Sequence, residues 1–243
     1  MNVHVLQVAF DFSGKEDAVY PVLLRNRTET ILVDCGYPGF RSLLEKAARA
    51  HHILLRELTG IIITHHDIDH LGALFELKEA YPWVKIYSSA LEEKYIDGKE
   101  KSLRLQQAED LYPLLPEDQQ PAALQFQKML AEVKPVPVDY GFATDEAPYF
   151  LDGIRIVNTP GHMPGHISIY VPESKTLIAA DAVVVQNGEL DIAHPSFALD
   201  LHQAVASVDK LRQYDIETII CYHGGLVADN IPGRLQQLVA RYH

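Results

Sequence analysis

The sequence predicts an α/β fold in a single domain, and three observations lead to that prediction. Short β-branched runs, such as Thr30–Val33 and residues 61–63, have the length and composition of buried strands. Stretches with apolar residues at helical spacing lie between several of these runs. No Gly/Ser-rich linker, low-complexity tract or fixed-period repeat divides the 243 residues, and a hydrophobic content of 47% can supply one substantial core. We therefore expect one domain over residues 1–243.

Each element follows from its local pattern. In the first half we expect strands at residues 3–10, 20–25, 30–33, 61–63 and 84–87. Helices are expected at residues 41–51, with Leu43, Leu44 and Ala47 facing inward, and from about residue 69 to residue 80. The second half repeats the theme, with strands at residues 149–151, 154–157, 167–171, 176–180 and 218–221 and a helix at residues 201–213. Asp152-Gly153 is a strong hairpin signal between the first two of these strands.

The strand at residues 61–63 is followed at once by Thr-His-His-Asp-Ile-Asp-His, residues 64–70. Along an extended backbone His65, Asp67 and Asp69 point the same way, and a helix that begins near Asp69 would turn His70 back beside them. This segment predicts a metal site that can serve two ions. The alternative is chance clustering, with Asp69 acting only as a helix N-cap.

Three later segments supply matching ligands at strand ends. His162 lies in a loop rich in Gly and Pro at residues 158–166, Asp181 follows the apolar run 177–180, and His223 follows the run 218–221. Any one of them alone is more often a cap or a satisfied polar residue. In this order and spacing they predict one convergent metal centre.

With these motifs the sequence resembles the metallo-β-lactamase superfamily of metal-dependent hydrolases. The matching motifs are His65-x-Asp67-x-Asp69-His70, the Thr-Pro-Gly-His-x-x-Gly-His run that ends at His166, Ala180-Asp181, His223-Gly224 and the early strand that ends in Asp34-Cys35-Gly36. The resemblance and the element pattern together imply an αββα sandwich of two mixed sheets with outer helices. By position, one metal would take His65, Asp67 and His162, the other Asp69, His70 and His223, and Asp181 would bridge the two.

One departure from the family motif concerns Asp67, which stands where the family usually has a second histidine. His66 does not replace it, because a one-residue step turns a side chain to the opposite face. Our hypothesis is that Asp67 is a true ligand; otherwise it is too short to reach, and the first metal is weak or absent. We expect two divalent ions and take zinc as the leading candidate. Because Asp67 is a harder ligand than histidine, manganese and iron compete with zinc better than they would at the usual motif.

Two cations held together imply hydrolysis. A hydroxide shared between them is a nucleophile at neutral pH, and open coordination positions polarise the oxygen under attack. We expect cleavage of an ester, thioester or lactone, with Asp69 as a catalytic proton holder. There are three alternatives. The first is a phosphodiesterase on the same site, and the second is a diiron redox protein, because the flavodiiron branch of the superfamily has Glu at the position of Asp67. The third is a binding module without metal.

Several residues near the predicted centre have more than one interpretation. Asp34 either contacts a ligand histidine or makes a local turn, and His166 is expected to support a ligand rather than coordinate. His194 could face substrate or lie in a surface loop. Tyr222 is expected to pack on the opposite face of its strand.

The stretch at about residues 91–135 has no counterpart motif and is expected to be a helical insertion, broken into two helices by Pro113, Pro116 and Pro121. It lies between two metal-bearing segments, so we expect it to cover the cleft, with Tyr112, Phe126 and Met129 as candidates for substrate contact. The alternative is that these side chains only pack the helices onto the sandwich.

Composition limits the partners. A formal net charge of −12 argues against nucleic-acid binding, so the partner we expect is a small-molecule substrate. Residues 1–11 lack the features of a signal peptide, and no apolar stretch is long enough for a membrane span. We expect a cytoplasmic protein in which Cys35 and Cys221 are buried reduced thiols. The oligomeric state is open.

Overall fold

Two mixed β-sheets packed face to face form the centre of the protein in a computed structural model, which describes residues 1–12, 14–143, 145–148, 150–193 and 195–242. Helices cover the outer face of each sheet. The αββα sandwich expected from the sequence is confirmed.

The first sheet has six strands in the order β1-β4-β5-β6-β7-β8, and β2 pairs with β3 in a separate hairpin. The pairings of β5 with β6, β6 with β7 and β7 with β8 are parallel, whereas β1 with β4 and β4 with β5 are antiparallel. The strands are β1 (Asn2–Val5), β2 (Val8–Phe12), β3 (Lys15–Val19), β4 (Val22–Arg25), β5 (Thr30–Val33), β6 (Gly60–Ile62), β7 (Lys85–Ser89) and β8 (Tyr140–Phe142).

The second sheet has five strands in the order β15-β14-β11-β10-β9, and β12 pairs with β13 in a hairpin. Only the pairing of β11 with β14 is parallel in this sheet. Its strands and the hairpin are β9 (Arg155–Asn158), β10 (Ile167–Val171), β11 (Thr176–Ala180), β12 (Val184–Gln186), β13 (Glu189–Asp191), β14 (Thr218–Cys221) and β15 (Gly225–Val227).

Eight α-helices complete the part of the chain that the structure describes. They are α1 (Arg41–Ala50), α2 (Ile68–Leu71), α3 (Leu74–Ala80), α4 (Glu93–Ile96), α5 (Leu103–Leu111), α6 (Gln120–Ala131), α7 (Leu201–Leu211) and α8 (Ile231–Arg241). Helices α1 and α3 pack on the first sheet, and α7 and α8 pack on the second. Among these described helices, none has the length and apolar character needed to cross a membrane.

The central strands are buried on both faces, which explains their continuous apolar runs. In β4, Val22 and Leu24 face the second sheet, while Leu23 between them faces the helices. The second sheet contributes Ile169 and Ile178 to the same central layer. This layer holds the two sheets together and brings the ends of their strands to one edge.

Most predicted elements are confirmed within one or two residues, and the differences have local causes. The strand expected at residues 3–10 is split between β1 and β2. The helix expected at residues 69–80 is two helices, and between them the Ala73 N–H donates to the Gly36 carbonyl at 3.2 Å. The strand expected at residues 149–151 is wrong: Phe150 and Leu151 are outside any strand, and Tyr149 lies outside the described residues. Helix α8 was not expected from the sequence.

The stretch between β7 and β8 is helical, as expected, but it holds three α-helices, α4, α5 and α6, and not two. Pro113 and Pro116 lie between α5 and α6, as expected. Pro121 does not interrupt a helix, because it lies in the first turn of α6, where the backbone N–H that proline lacks would have no partner within the helix.

Candidate metal centre

Four strand ends bring their polar side chains to one edge of the sandwich. His65 and Asp67 follow β6, Asp69 and His70 lie in α2, and His162 lies in the loop after β9. Asp181 directly follows β11, and His223 follows β14 two residues later. The seven side chains predicted as ligands are therefore close together, although they come from widely separated parts of the chain.

The backbone at this edge adopts unusual conformations that aim the side chains. Ala180 has φ +48° and interrupts the regular register of β11 with β14, immediately before Asp181. Asp34, at the end of β5, has φ +58°. Such non-glycine residues are uncommon and concentrate at functional sites. Asp67 is the N-cap residue of α2 but does not cap it with its side chain, so its carboxylate turns toward His65 and His162.

The loop that carries His162 depends on glycine. Gly161 has φ +131°, and a Cβ there would lie 2.1 Å from the Ala204 backbone nitrogen in α7. This close approach holds the loop against α7, where Gly161 also accepts a hydrogen bond from the Asp200 backbone. Any side chain at this position would displace His162.

One group of ligand atoms comes from Asp69, His70, Asp181 and His223. Asp69 Oδ2 lies 3.1 Å from His223 Nε2 and 3.7 Å from His70 Nε2. Asp181 Oδ1 lies 3.3 Å from His70 Nε2 and 3.6 Å from His223 Nε2. Two ligands on a tetrahedral ion with bonds near 2 Å are about 3.3 Å apart. We call these four residues the second ligand group, and their spacing fits one divalent ion.

Buried atoms without a hydrogen-bond partner support that fit. His70 Nε2, His65 Nε2 and Asp181 Oδ1 are buried and accept or donate no hydrogen bond. A buried polar atom in this condition is costly unless something else satisfies it. A cation bound by the second ligand group would satisfy His70 Nε2 and Asp181 Oδ1, and an ion held by His65, Asp67 and His162 would satisfy His65 Nε2.

Asp34 determines which ring nitrogens face the centre. Its Oδ2 lies 2.8 Å from His70 Nδ1 and accepts the Thr64 hydroxyl at 2.8 Å, while Oδ1 accepts the Thr64 backbone N–H at 2.9 Å. The Thr64 oxygen in turn lies 3.0 Å from His65 Nδ1. Because the Asp34 carboxylate only accepts, both rings carry a proton on Nδ1 and turn Nε2, the atom that would bind a metal, toward the centre. Asp34 thus contacts a ligand histidine, one of the two roles expected for it.

The carboxylates give the centre a negative potential. Burial would lower the pKa of His70, but Asp181, Asp34 and Asp69 raise it well above its usual value. Burial would likewise raise the pKa of Asp181, but His70 and His223 hold it well below its usual range. A buried site with this balance attracts cations.

The first ligand group, His65, Asp67 and His162, contains a cation of its own. Asp67 Oδ2 lies 3.5 Å from His65 Nε2 and 2.9 Å from His162 Nε2. The buried Arg104 of α5 donates to the same carboxylate from Nε at 2.9 Å and from Nη2 at 2.7 Å. Burial would raise the pKa of Asp67, but the charge of Arg104, together with the contact from His162, holds it well below its usual range. The Asp67 carboxylate is ionised and already paired.

His166 supports the centre without facing it, as expected. Its Nε2 accepts the Asp181 backbone N–H at 3.1 Å, and its Nδ1 lies 2.9 Å from the Thr159 hydroxyl. Thr159 continues to Ser168, which donates to the Ala179 carbonyl. Burial lowers the pKa of His166 to about 3, so the ring stays neutral and holds Asp181 in place.

His66 points away from the ligands, as a one-residue step predicts. Its Nδ1 binds the buried Glu92 carboxylate, and its Nε2 accepts the Leu103 backbone N–H at 3.1 Å. The other Glu92 oxygen accepts the Gly165 N–H at 2.9 Å. His66 and Glu92 therefore join the ligand loops to the start of α5.

We expect His66→Ala to lower the free energy of unfolding of the metal-free protein by about 2 kcal/mol, since it removes a buried charge-assisted hydrogen bond. Metal content should stay unchanged because the side chain faces away from the ligands. Urea unfolding and elemental analysis measure the two effects. Loss of the bound metal in folded His66→Ala protein would show that the His66 side chain does not point away from the ligands.

Tyr222 packs against the centre from the side opposite to His223. Its ring centroid lies 3.9 Å from that of His70, and its hydroxyl donates to the Asp69 carbonyl at 2.6 Å. The Gly36 N–H donates to the same hydroxyl. The packing role expected for Tyr222 includes hydrogen bonds that fix α2.

A cavity of about 770 Å³ opens above the ligands. Phe126 and Met129 of α6 line it, as expected, but Tyr112 does not; its hydroxyl donates to Gln120 at the start of α6. His194 lies outside the described residues. The other lining residues are Asp11, Tyr37, Asp67, Ile68, Asp69, Arg104, Ala122, Gln125, His162, Asp181, Val184, Val185, Gln186, Ala193, Phe197 and His223.

Sequence reasoning missed two residues that contact the ligand loops, Arg104 and Glu92. Neither is part of a strand-end motif, and both come from the segment without counterpart motifs. No local sequence signal marks Arg104, because it is a single arginine in a helix outside any motif.

Comparison with known proteins agrees with this geometry. The sequence profile described as the metallo-beta-lactamase superfamily matches residues 14–223. The chain belongs to the metallo-β-lactamase superfamily. A relative from Bacillus subtilis (strain 168), named Probable metallo-hydrolase YflN, is 27% identical over 231 residues, which cover 87% of this chain and 81% of the relative.

Two further proteins resemble the chain, one over a smaller share of its length and one in its fold. A Hydroxyacylglutathione hydrolase from Synechococcus sp. (strain JA-2-3B'a(2-13)) is 28% identical over 183 residues, which cover 74% of this chain and 54% of that protein. The crystal structure of metallo-beta-lactamase family protein TTHA1429 from Thermus thermophilus matches with a TM-score of 0.73 and 21% identity, covering 99% of this chain and 79% of that one. The latter likeness concerns the fold. Family and relatives together identify a metal-dependent hydrolase of this superfamily.

Proposed function

We propose that the protein hydrolyses an ester, thioester or lactone of a small molecule. The observation that carries this proposal is the pairing of cation-attracting ligands on the cavity floor with an apolar wall that includes Phe126, Met129 and Phe197. Such a wall suits an acyl group better than a highly charged substrate. The relative named Hydroxyacylglutathione hydrolase, whose name describes an acylated substrate, supports the same class.

The ligand groups would hold up to two divalent ions, with zinc expected. Asp69, His70, Asp181 and His223 would hold one, and His65, Asp67 and His162 the other, with Asp181 between them. When bound, such ions supply hydroxide at neutral pH and polarise the scissile carbonyl.

The chain's own residues have distinct roles in this proposal. Asp69 is less buried than the neighbouring His70 and lies on the cavity, so its carboxylate can hold a proton and pass it to the leaving atom. Asp34 and Thr64 keep His70 and His65 in the ligating tautomer. Phe126 and Met129 exclude water from the acyl side.

Charge argues against a phosphodiester substrate. The cavity lining includes Asp11, Asp67, Asp69 and Asp181, and Arg104 is the one Lys or Arg among its described lining residues. That guanidinium is already paired with Asp67. A polyanionic substrate would therefore find little compensation outside the metal position.

A substrate panel tests the proposal directly. Zinc-loaded and manganese-loaded protein is assayed with nitrophenyl esters, acyl thioesters, lactones and bis(nitrophenyl) phosphate. We expect turnover of at least one acyl class with kcat/KM at least about 100-fold above that for the phosphodiester. Preference for the phosphodiester would overturn the acyl assignment.

The apolar wall gives a second test. We expect Phe126→Ala with Met129→Ala to lower kcat/KM for a long acyl chain by about 10-fold or more, with little change for acetyl esters, because each lost contact removes apolar binding energy. Leu124→Ala on the exposed face of the same helix is the control. Equal effects on long and short acyl chains would show that α6 does not contact substrate.

A further inference from the structure

Arg104 places a buried positive charge next to residues that are predicted to bind a cation. Its side chain is buried, and α5 delivers it directly to the first ligand group. Its guanidinium makes a bidentate contact with the Asp67 carboxylate: Nε donates to Oδ1 at 2.9 Å, and Nη2 donates to Oδ2 at 2.7 Å. The same Nη2 lies 3.3 Å from His162 Nε2. A guanidinium therefore touches two of the three residues that would hold the first ion.

Rigid elements fix this guanidinium. Nη1 donates to Gln107 one turn along α5 at 2.5 Å, and the guanidinium carbon lies 5.3 Å from the Phe197 ring centroid. Ser102 caps the start of α5 by accepting the Arg104 and Leu105 backbone N–H groups. The His66–Leu103 hydrogen bond ties the same turn to the ligand loop. The contact between Arg104 and Asp67 is thus held by the packing of the insertion, and Arg104 is not a mobile surface side chain.

The geometry gives the two ligand groups different chemistry. Asp67 Oδ2 is the oxygen nearest to both His65 and His162, and it is the oxygen that Arg104 Nη2 binds. An ion about 2 Å from this oxygen would lie less than about 5 Å from a positive guanidinium nitrogen, in a buried place where repulsion is poorly screened. In the described part of the chain no Lys or Arg pairs with Asp69 or Asp181 of the second group.

We propose that Arg104 makes the two ligand groups unequal. The second group takes one divalent ion tightly, and the first group takes an ion only when the guanidinium leaves Asp67. This inference rests on the proposed metal centre and adds an order of loading to it. Since Arg104 belongs to α5, entry of the second ion also loosens the contact of the insertion with the ligand loop.

The change in metal affinity on removing Arg104 distinguishes two roles for this residue. If Arg104 instead orients Asp67 as a ligand, its removal weakens binding of the ion held by the first ligand group, which is the second ion to load. If it competes for Asp67, its removal strengthens that ion. Binding measurements separate the two without reference to activity.

The experiment titrates metal-free protein with zinc against a competing chelator and counts bound ions by native mass spectrometry. For the unmodified chain we expect one tight ion and a second with Kd at least about 100-fold higher. For Arg104→Met, which keeps the length but removes the charge, we expect the second ion to bind about 10-fold tighter or more, while the first is unchanged. Lys101→Met is the control, because Lys101 is an exposed cation that pairs with Glu109 of α5.

Four results would contradict the inference or the metal centre, and they can be told apart. Two ions of Kd within about 10-fold of each other in the unmodified chain, or a weaker second ion in Arg104→Met, would overturn the inference and leave the hydrolase proposal standing. No tight ion at all would overturn the metal centre itself. If Arg104→Met does not fold, hydrogen exchange of α5 in the unmodified chain decides: we expect faster exchange with two equivalents of zinc than with one, and unchanged exchange overturns the coupling.

Discussion

Asp181→Ala is expected to abolish stable metal binding and to lower hydrolytic activity by at least about 1000-fold. Asp181 lies within 3.6 Å of ligand nitrogens from both groups: His70 and His223 on one side and His162 on the other. Its carboxylate also offsets the repulsion between cations held close together. Elemental analysis after dialysis and a kinetic assay on the best ester measure the two effects.

The control for this variant is Asp209→Ala, since Asp209 is an exposed carboxylate on α7 that pairs with Arg212. It should keep both metal and activity. Circular dichroism must show that Asp181→Ala is folded. A folded Asp181→Ala protein that retains its metal through dialysis would remove Asp181 from the ligand set.

Asp34→Asn is expected to weaken metal binding by about 10- to 100-fold, although Asn has nearly the same shape as Asp. The Thr64 backbone N–H needs an acceptor, so the Asn oxygen takes that position and the NH₂ group faces Thr64 Oγ1 and His70 Nδ1. His70 must then carry its proton on Nε2, the nitrogen that faces the other ligands. Changes in groups that orient metal ligands typically have effects of this size.

Chelator competition measures the affinity of Asp34→Asn, and Asp215→Asn is a matched control on the exposed surface beside Lys175. NMR of the histidine ring nitrogens supplies a readout that a purely structural role would not change, because it reports the tautomer of His70. Unchanged affinity with an unchanged tautomer would show that Asp34 only forms the turn at the end of β5.

The sequence was sufficient to bring together side chains that lie at strand ends. His65, Asp181 and His223 follow short apolar runs, and strands that end at one edge of the sandwich deliver such side chains to the same place. The αββα arrangement followed from the same runs. Local periodicity and strand length carry this information within a few residues of each ligand.

The sequence was insufficient where a role depends on distant packing. Arg104 reaches Asp67 across 37 positions, and Glu92 reaches Gly165 across 73. Neither lies in a periodic or motif-like context, so no local rule marks it. Tyr112 was misplaced for a related reason: its neighbourhood contains Pro113 and a 3₁₀ turn, which rotate it toward Gln120 and away from the cavity.

The central claim is that strand-end histidines and aspartates form a cation-binding hydrolytic centre. Crystals grown with zinc and measured on both sides of the zinc absorption edge test it most directly. The account predicts an anomalous peak about 2 Å from the side-chain atoms of Asp69, His70, Asp181 and His223, whose 3.1–3.7 Å separations suit one ion. A fully zinc-equilibrated crystal with no peak among these four residues would contradict it.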